Sequence, residues 1–86
     1  MENDKSSFLA RGGYAAGDAE TLMEDLRHQI LPLDAEHIED SAYGPKFRIR
    51  GRLRGPNGTV LAVVTIWIID SEIGQTKFVT LFPDKS

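Results

Sequence analysis

An α+β fold is expected, with two N-terminal helices packed on one face of a three- to four-stranded antiparallel sheet. Three observations predict it. Apolar residues recur at helical spacing only in the first third of the chain. From Lys46 the sequence alternates with a period of two: Lys46, Arg48, Arg50, Arg52 and Arg54 on one side, Phe47, Ile49, Gly51 and Leu53 on the other. Side chains alternate faces in a strand, so this is a half-buried strand with a wholly cationic face. After Gly55-Pro56-Asn57-Gly58, the run Val60–Ile69 is almost continuously apolar and β-branched, as suits a central strand. Helices segregated to one face of such a sheet give the α+β arrangement.

The elements follow in order. Residues 1–4 read as a frayed terminus. Lys5–Arg11 reads as a short helix with Phe8 and Leu9 inward, ended by the pair Gly12-Gly13. Asp18 is a suitable N-cap for a second helix, and Glu20 suits its positive end. Ala19, Leu22, Met23, Leu26 and Ile30 form its inward stripe. Leu31-Pro32 closes it, because a residue before proline is pushed out of the helical region. A helix over roughly 18–30 results. Asp34–Ala42 reads either as a short edge strand or as a loop, since Ile38 is its only large apolar residue.

The turn Gly55–Gly58 sets the register of the next pair. Pro56 suits the second position, Asn57 the third, and Gly58 the bulge that needs positive φ. A three-residue loop places Gly55 opposite Thr59. Counting back, Leu53 faces Leu61, Ile49 faces Thr65 and Phe47 faces Trp67. The basic residues then face Val60, Ala62, Val64, Ile66 and Ile68. The last strand is expected over Thr76–Phe82, with Phe78, Thr80 and Phe82 on one face and Lys77, Val79 and Leu81 on the other. Leu22, Met23, Leu26, Phe47, Ile49, Leu53, Leu61, Val63 and Trp67 are the expected core, with Phe47 and Trp67 as an aromatic pair.

Eighty-six residues correspond to one small domain over 1–86 with a modest core. Such a domain gains from association, so a homodimer or a cognate protein partner is expected. Without cysteine there is no disulfide, no thiolate zinc ligand and no thiol nucleophile. That absence fits a cytoplasmic location. The first residues lack the pattern of a secretory signal, and no apolar run reaches the ~18 residues of a membrane span. No membrane association is therefore expected.

The net charge of −3 conceals an asymmetry. Lys46–Arg54 carries five cations and no acid, which leaves −8 on the remainder, mostly in Asp18–Asp40. Local charge decides binding more than the total does. Cations roughly 6.6–7 Å apart along a strand can track a phosphate backbone, and arginine has the planar fork for it. The same face can instead be solvated, paired across strands with Glu36, Glu39 or Asp40, turned to an acidic protein, or a guard against strand addition. His28 and His37 have no ligand spacing, so no metal site is expected. The phosphate-loop, dinucleotide and nucleophile-elbow motifs are absent, and no cofactor is expected.

Three pieces of the chain together carry a resemblance. They are Lys5-Ser6-Ser7-Phe8-Leu9; Tyr43-Gly44-Pro45-Lys46-Phe47 with the GPNG turn; and Thr65-Ile66-Trp67-Ile68 leading to Phe78-Val79-Thr80-Leu81-Phe82-Pro83. The chain resembles a bacterial family of small domains of unknown function with the pattern YGxKYxVxGxLxGPNG, TVWxxD and VTAYP. It is more loosely similar to the barnase–colicin–RelE-like ribonuclease toxins, at the level of fold. The resemblance implies metal-independent RNA cleavage, by attack of a 2′-hydroxyl on the adjacent phosphate. Lys5, Lys46, Thr65, Lys77 and Thr80 match recurring polar positions of the family. Lys77 stands where arginine is usual, and Phe82 where tyrosine is frequent. With the basic strand, this implies catalytic roles for Lys5, Lys46, Arg50, Thr65 and Thr80, and RNA contacts for Arg48, Arg52, Arg54 and Lys77. The other reading is a non-enzymatic interaction module, one half of a toxin–antitoxin-like pair. The acidic balance and the lack of a well-placed histidine favour it.

Overall fold

The computed structural model describes residues 4–85, with side chains from Ser7 onward. Met1–Asn3 and the side chain of Lys5 therefore lie outside the described residues. Helix α1 spans Asp4–Ala10 and α2 spans Ala19–Asp25, followed by strands β1 (Glu36–Ser41), β2 (Gly44–Arg54), β3 (Val60–Asp70) and β4 (Gln75–Pro83). The strands form one antiparallel sheet in the order β1-β2-β3-β4. The α+β expectation holds, with four strands, and Asp34–Ala42 resolves as an edge strand. No described helix is long and apolar enough to cross a membrane.

The second helix ends differently from its sequence pattern. Its last turn, Leu26–Ile30, is a π-turn, closed by the Leu31 amide donating to the Leu26 carbonyl at 2.9 Å. The wider turn still keeps Leu26 and Ile30 fully buried against the sheet. Gln29, on the same turn, reaches the backbone of Arg54. Its amide nitrogen donates to the Arg54 carbonyl and its carbonyl accepts from the Arg54 amide. β1 pairs with β2 only as far as Arg48, so this side chain stands in for a neighbouring strand at the end of β2. Contrary to the sequence expectation, Asp18 does not cap α2 with its side chain. Its carboxylate accepts instead from the Ala15 amide at 2.8 Å, bracing the preceding loop.

The β2–β3 register matches the turn-based expectation at every predicted pair: Leu53 faces Leu61, Ile49 faces Thr65, and Phe47 faces Trp67. The turn has the expected form, with the Gly58 amide donating to the Gly55 carbonyl and the Gly55 amide to the Thr59 carbonyl. Gly58 takes φ +86°. The turn also docks on the end of α1, where Asn57 donates from its side chain to the Arg11 carbonyl. Gly55 lies so close to Gly12 that a Cβ there would overlap the Gly12 carbonyl. Two glycines thus let the hairpin and the helix end touch backbone to backbone.

The core lies between the helices and one sheet face. Tyr14, Leu26, Ile30, Ile49, Leu53, Leu61, Val63, Trp67 and Leu81 are buried there, with Phe8, Leu9, Leu22, Met23 and Phe78 packed around them. Fully burying a large apolar side chain contributes roughly 1.5–3 kcal/mol. Two expectations need correction. Phe47 is only half-buried and meets His37 edge-on, while Trp67 takes Phe78 as its aromatic partner at 5.3 Å. The face assignment on β4 also changes. A bulge opposite Ile66 and Trp67 leaves Val79 unpaired, so Phe78 pairs with Trp67 but Thr80 pairs with Ile66. An extra residue in one strand reverses the alternation beyond it. Phe78 and Leu81 therefore enter the core, while Lys77, Thr80 and Phe82 share the other face.

Candidate nucleic-acid interface

The second face of the sheet is the one away from the buried helix residues, and cross-strand rows describe it. Lys46 pairs with Ile68 and Ile68 with Lys77; Arg48 pairs with Ile66 and Ile66 with Thr80; Arg50 pairs with Val64 and Val64 with Phe82. Arg52 pairs with Ala62, whose carbonyl accepts from the Asp84 amide at 3.0 Å, and Arg54 pairs with Val60. A cationic rail on β2 therefore runs beside an apolar lane on β3, with a mixed lane on β4 beyond. Val64 and Ile68 are buried within this face. Ile68 lies between Lys46 and Lys77, and Val64 between Arg50 and Phe82; the aliphatic stems of the cations can cover them while the charged heads stay in water.

The rail is not uniformly free. Glu36 on β1 takes Arg48 through two nitrogens on one carboxylate oxygen, at 2.9 and 3.1 Å. Glu39 sits 3.3 Å from the Lys46 ammonium. Arg50 is 4.0 Å from Asp84, and Lys77 is 3.4 Å from Asp70. The Asp70 carboxyl is held below its ordinary value, first by the Glu72 backbone amide and then by Lys77. Arg52 and Arg54 are exposed and form no ion pair with any described residue. Positive potential therefore concentrates at the hairpin end of the rail.

The sequence-derived site divides accordingly. Lys46, Arg48, Arg50, Arg52, Arg54, Lys77 and Thr80 lie on this one face. Thr65 does not. It is fully buried on the helix side, donates to the Ile49 carbonyl at 2.9 Å and accepts from the Trp67 indole at 2.8 Å. A hydroxyl with both roles taken inside the core is placed to hold Trp67, and it has no route to a phosphate on the cationic face. Neither histidine joins the rail: His28 bonds the Glu24 carbonyl, and His37 pairs with Asp40 on β1. Among the described residues, no three histidine or acidic side chains gather as a metal would need.

Sequence reasoning missed the features that shape this face besides the cations. Phe82 is 42% exposed on it. Beside Phe82, a cavity of about 730 Å³ opens between α1 and the strands, with Phe8, Val60, Ala62 and Pro83 in its walls and Arg11, Asp84 and Lys85 also lining it. The β4 bulge that puts Phe82 there has no signal in the alternation of the strand itself. The pairing of Lys46 and Arg48 with Glu39 and Glu36 was one of the readings left open by the sequence.

A family model described as a domain of unknown function, DUF6883, matches residues 2–85. No curated protein and no solved structure matches the chain.

Proposed function

The chain belongs to the DUF6883 family, and we propose that it is an RNA-binding domain of the small toxin-ribonuclease type, with the cationic sheet face as its RNA surface. One observation carries the reading. Arg50, Arg52 and Arg54 stand at successive positions on one face, and the last two have no described ion-pair partner. Exposed arginines in a row, with the span of phosphates along an extended strand, offer bidentate contacts that release counterions on binding. The reaction suited to such a face is metal-free transesterification, in which a 2′-hydroxyl gives up its proton and attacks the neighbouring phosphate, the bond to the 5′-oxygen breaks, and the products are a 2′,3′-cyclic phosphate and a 5′-hydroxyl that takes up a proton. Arg50, at the middle of the rail, would stabilise the charge that develops on the phosphorane, as preorganised donors do for other anionic transition states. Arg48 and Arg52 flank it on β2, Thr80 lies in the row of Arg48, and Lys46 and Lys77 share the row at the far end. Thr65 has no part in this scheme.

A second reading has its own observation. Val60, Ala62 and Phe82 are exposed beside the arginines, and arginine with aromatic residues is the usual make-up of a protein-binding hot spot. An acidic cognate protein would then occupy the face. The deciding experiment mixes the wild-type chain, without metal, with a labelled single-stranded RNA, and follows binding and cleavage. A variant with Arg50, Arg52 and Arg54 all changed to alanine runs alongside. Binding by the wild type and its loss in the variant are expected. A wild type that neither binds nor cuts RNA would end the RNA reading.

A further inference from the structure

We propose that the cavity beside Phe82 is a base-binding subsite, which makes the ligand a single-stranded RNA with at least one unstacked base. The inference rests on the RNA reading and specifies its substrate. The cavity is walled by Val60 and Ala62, the direct cross-strand partners of Arg54 and Arg52. It therefore lies immediately across β3 from the two arginines that have no described ion-pair partner. Phe82 itself is two strands from Arg50, through Val64. Two strand spacings amount to about 10 Å, comparable to the reach from a phosphate to its own base when that base is turned out of a stack. A phosphate on Arg52 or Arg54 would thus leave its base over Ala62 and against the Phe82 ring.

The chemistry of the cavity fits a base better than a sugar or a phosphate. Phe8, Val60, Ala62, Phe82 and Pro83 supply apolar wall, and Phe82 supplies a ring on which any of the four bases can stack. Arg11 and Lys85 also line the cavity and favour an anionic backbone nearby, while the Asp84 carboxylate, which lines it too, lies 4.0 Å from Arg50. A duplex keeps its bases stacked and paired inside, so it could use the arginine rail but not the cavity. The proposed site therefore discriminates between single and double strands by shape, without reading sequence.

The test compares three labelled RNAs of equal length: a single-stranded oligouridine, the same strand with one abasic position, and a duplex. Each is titrated against the wild type, Phe82→Ala and Phe82→Leu. Phe82→Leu keeps an apolar side chain in the wall without the ring, and circular dichroism checks that both variants fold. The wild type should prefer oligouridine to the duplex. Phe82→Ala should weaken oligouridine binding roughly tenfold, as loss of one stacked base does, with the salt dependence unchanged. Phe82→Leu should recover only part of that loss, and neither variant should change duplex binding. Equal wild-type affinity for single strand and duplex, or an unaltered Phe82→Ala, would overturn the subsite while leaving the RNA reading standing. A wild type that binds none of the three would overturn both.

Discussion

Two side chains in the core show how one residue decides what a position does. Thr65 sits in the middle of the central strand, and its hydroxyl is both a donor to Ile49 and the acceptor for Trp67. Replacing it by valine keeps the shape but leaves the buried indole N–H without an acceptor, which costs about 1–3 kcal/mol. Thr65→Val should therefore lower the urea midpoint clearly while RNA affinity stays unchanged at temperatures where the variant is folded. Lost cleavage at unchanged stability would return Thr65 to the reacting site. Tyr14 is buried, and its hydroxyl donates to the Asp25 carboxylate at 2.5 Å. Burial first, then the bond to Asp25 and its charge, push the phenol well above its ordinary value. In the unfolded chain the phenol ionises near pH 10, whereas the folded chain keeps its proton. The stabilisation is complete below about pH 10 and is lost as the pH rises past it, because the unfolded state then binds fewer protons. Tyr14→Phe should be less stable than wild type at pH 7, and the gap should narrow between pH 9 and pH 11. A gap that stays constant over that range would contradict the assignment.

At the scale of elements, β1 is the one strand without a buried residue. It adds no side chain to the core and instead lays Glu36 and Glu39 along the rail. Exposed ion pairs of this kind contribute only ~0–1 kcal/mol to stability, so their main effect is on the potential over the face. Changing both glutamates to glutamine should leave the thermal midpoint nearly unmoved, and it should tighten RNA binding with a steeper salt dependence as Lys46 and Arg48 become available. Weaker binding in that variant would mean that the carboxylates themselves belong to the site. The elements also show why parts of the chain were legible and others not. The β2–β3 hairpin could be registered pair by pair because Pro56, Asn57 and Gly58 each suit one position of one turn type. β4 could not, because its bulge at Val79 is imposed by pairing with β3, and alternation within the strand carries no trace of it. The cations of the site were visible as a period-two pattern. The Phe82 cavity was not, since it arises where α1 meets two strands distant in sequence.

The whole molecule carries a net charge of −3 and yet presents a rail of five cations on one face, two of them held by glutamates. Such a distribution makes long-range attraction to a polyanion weak, so binding of RNA as proposed would come from the few arginines that reach it. For single strands, the logarithm of the binding constant falls with the logarithm of salt concentration by roughly 0.7 for each phosphate contact neutralised. The most direct measurement is therefore the salt dependence of oligouridine binding by the wild type, Arg52→Ala, Arg54→Ala and the double variant. Each single substitution should flatten the slope by roughly 0.7, and the double by about twice that. A wild-type slope near zero, or slopes identical in all four proteins, would contradict the claim that this face binds RNA.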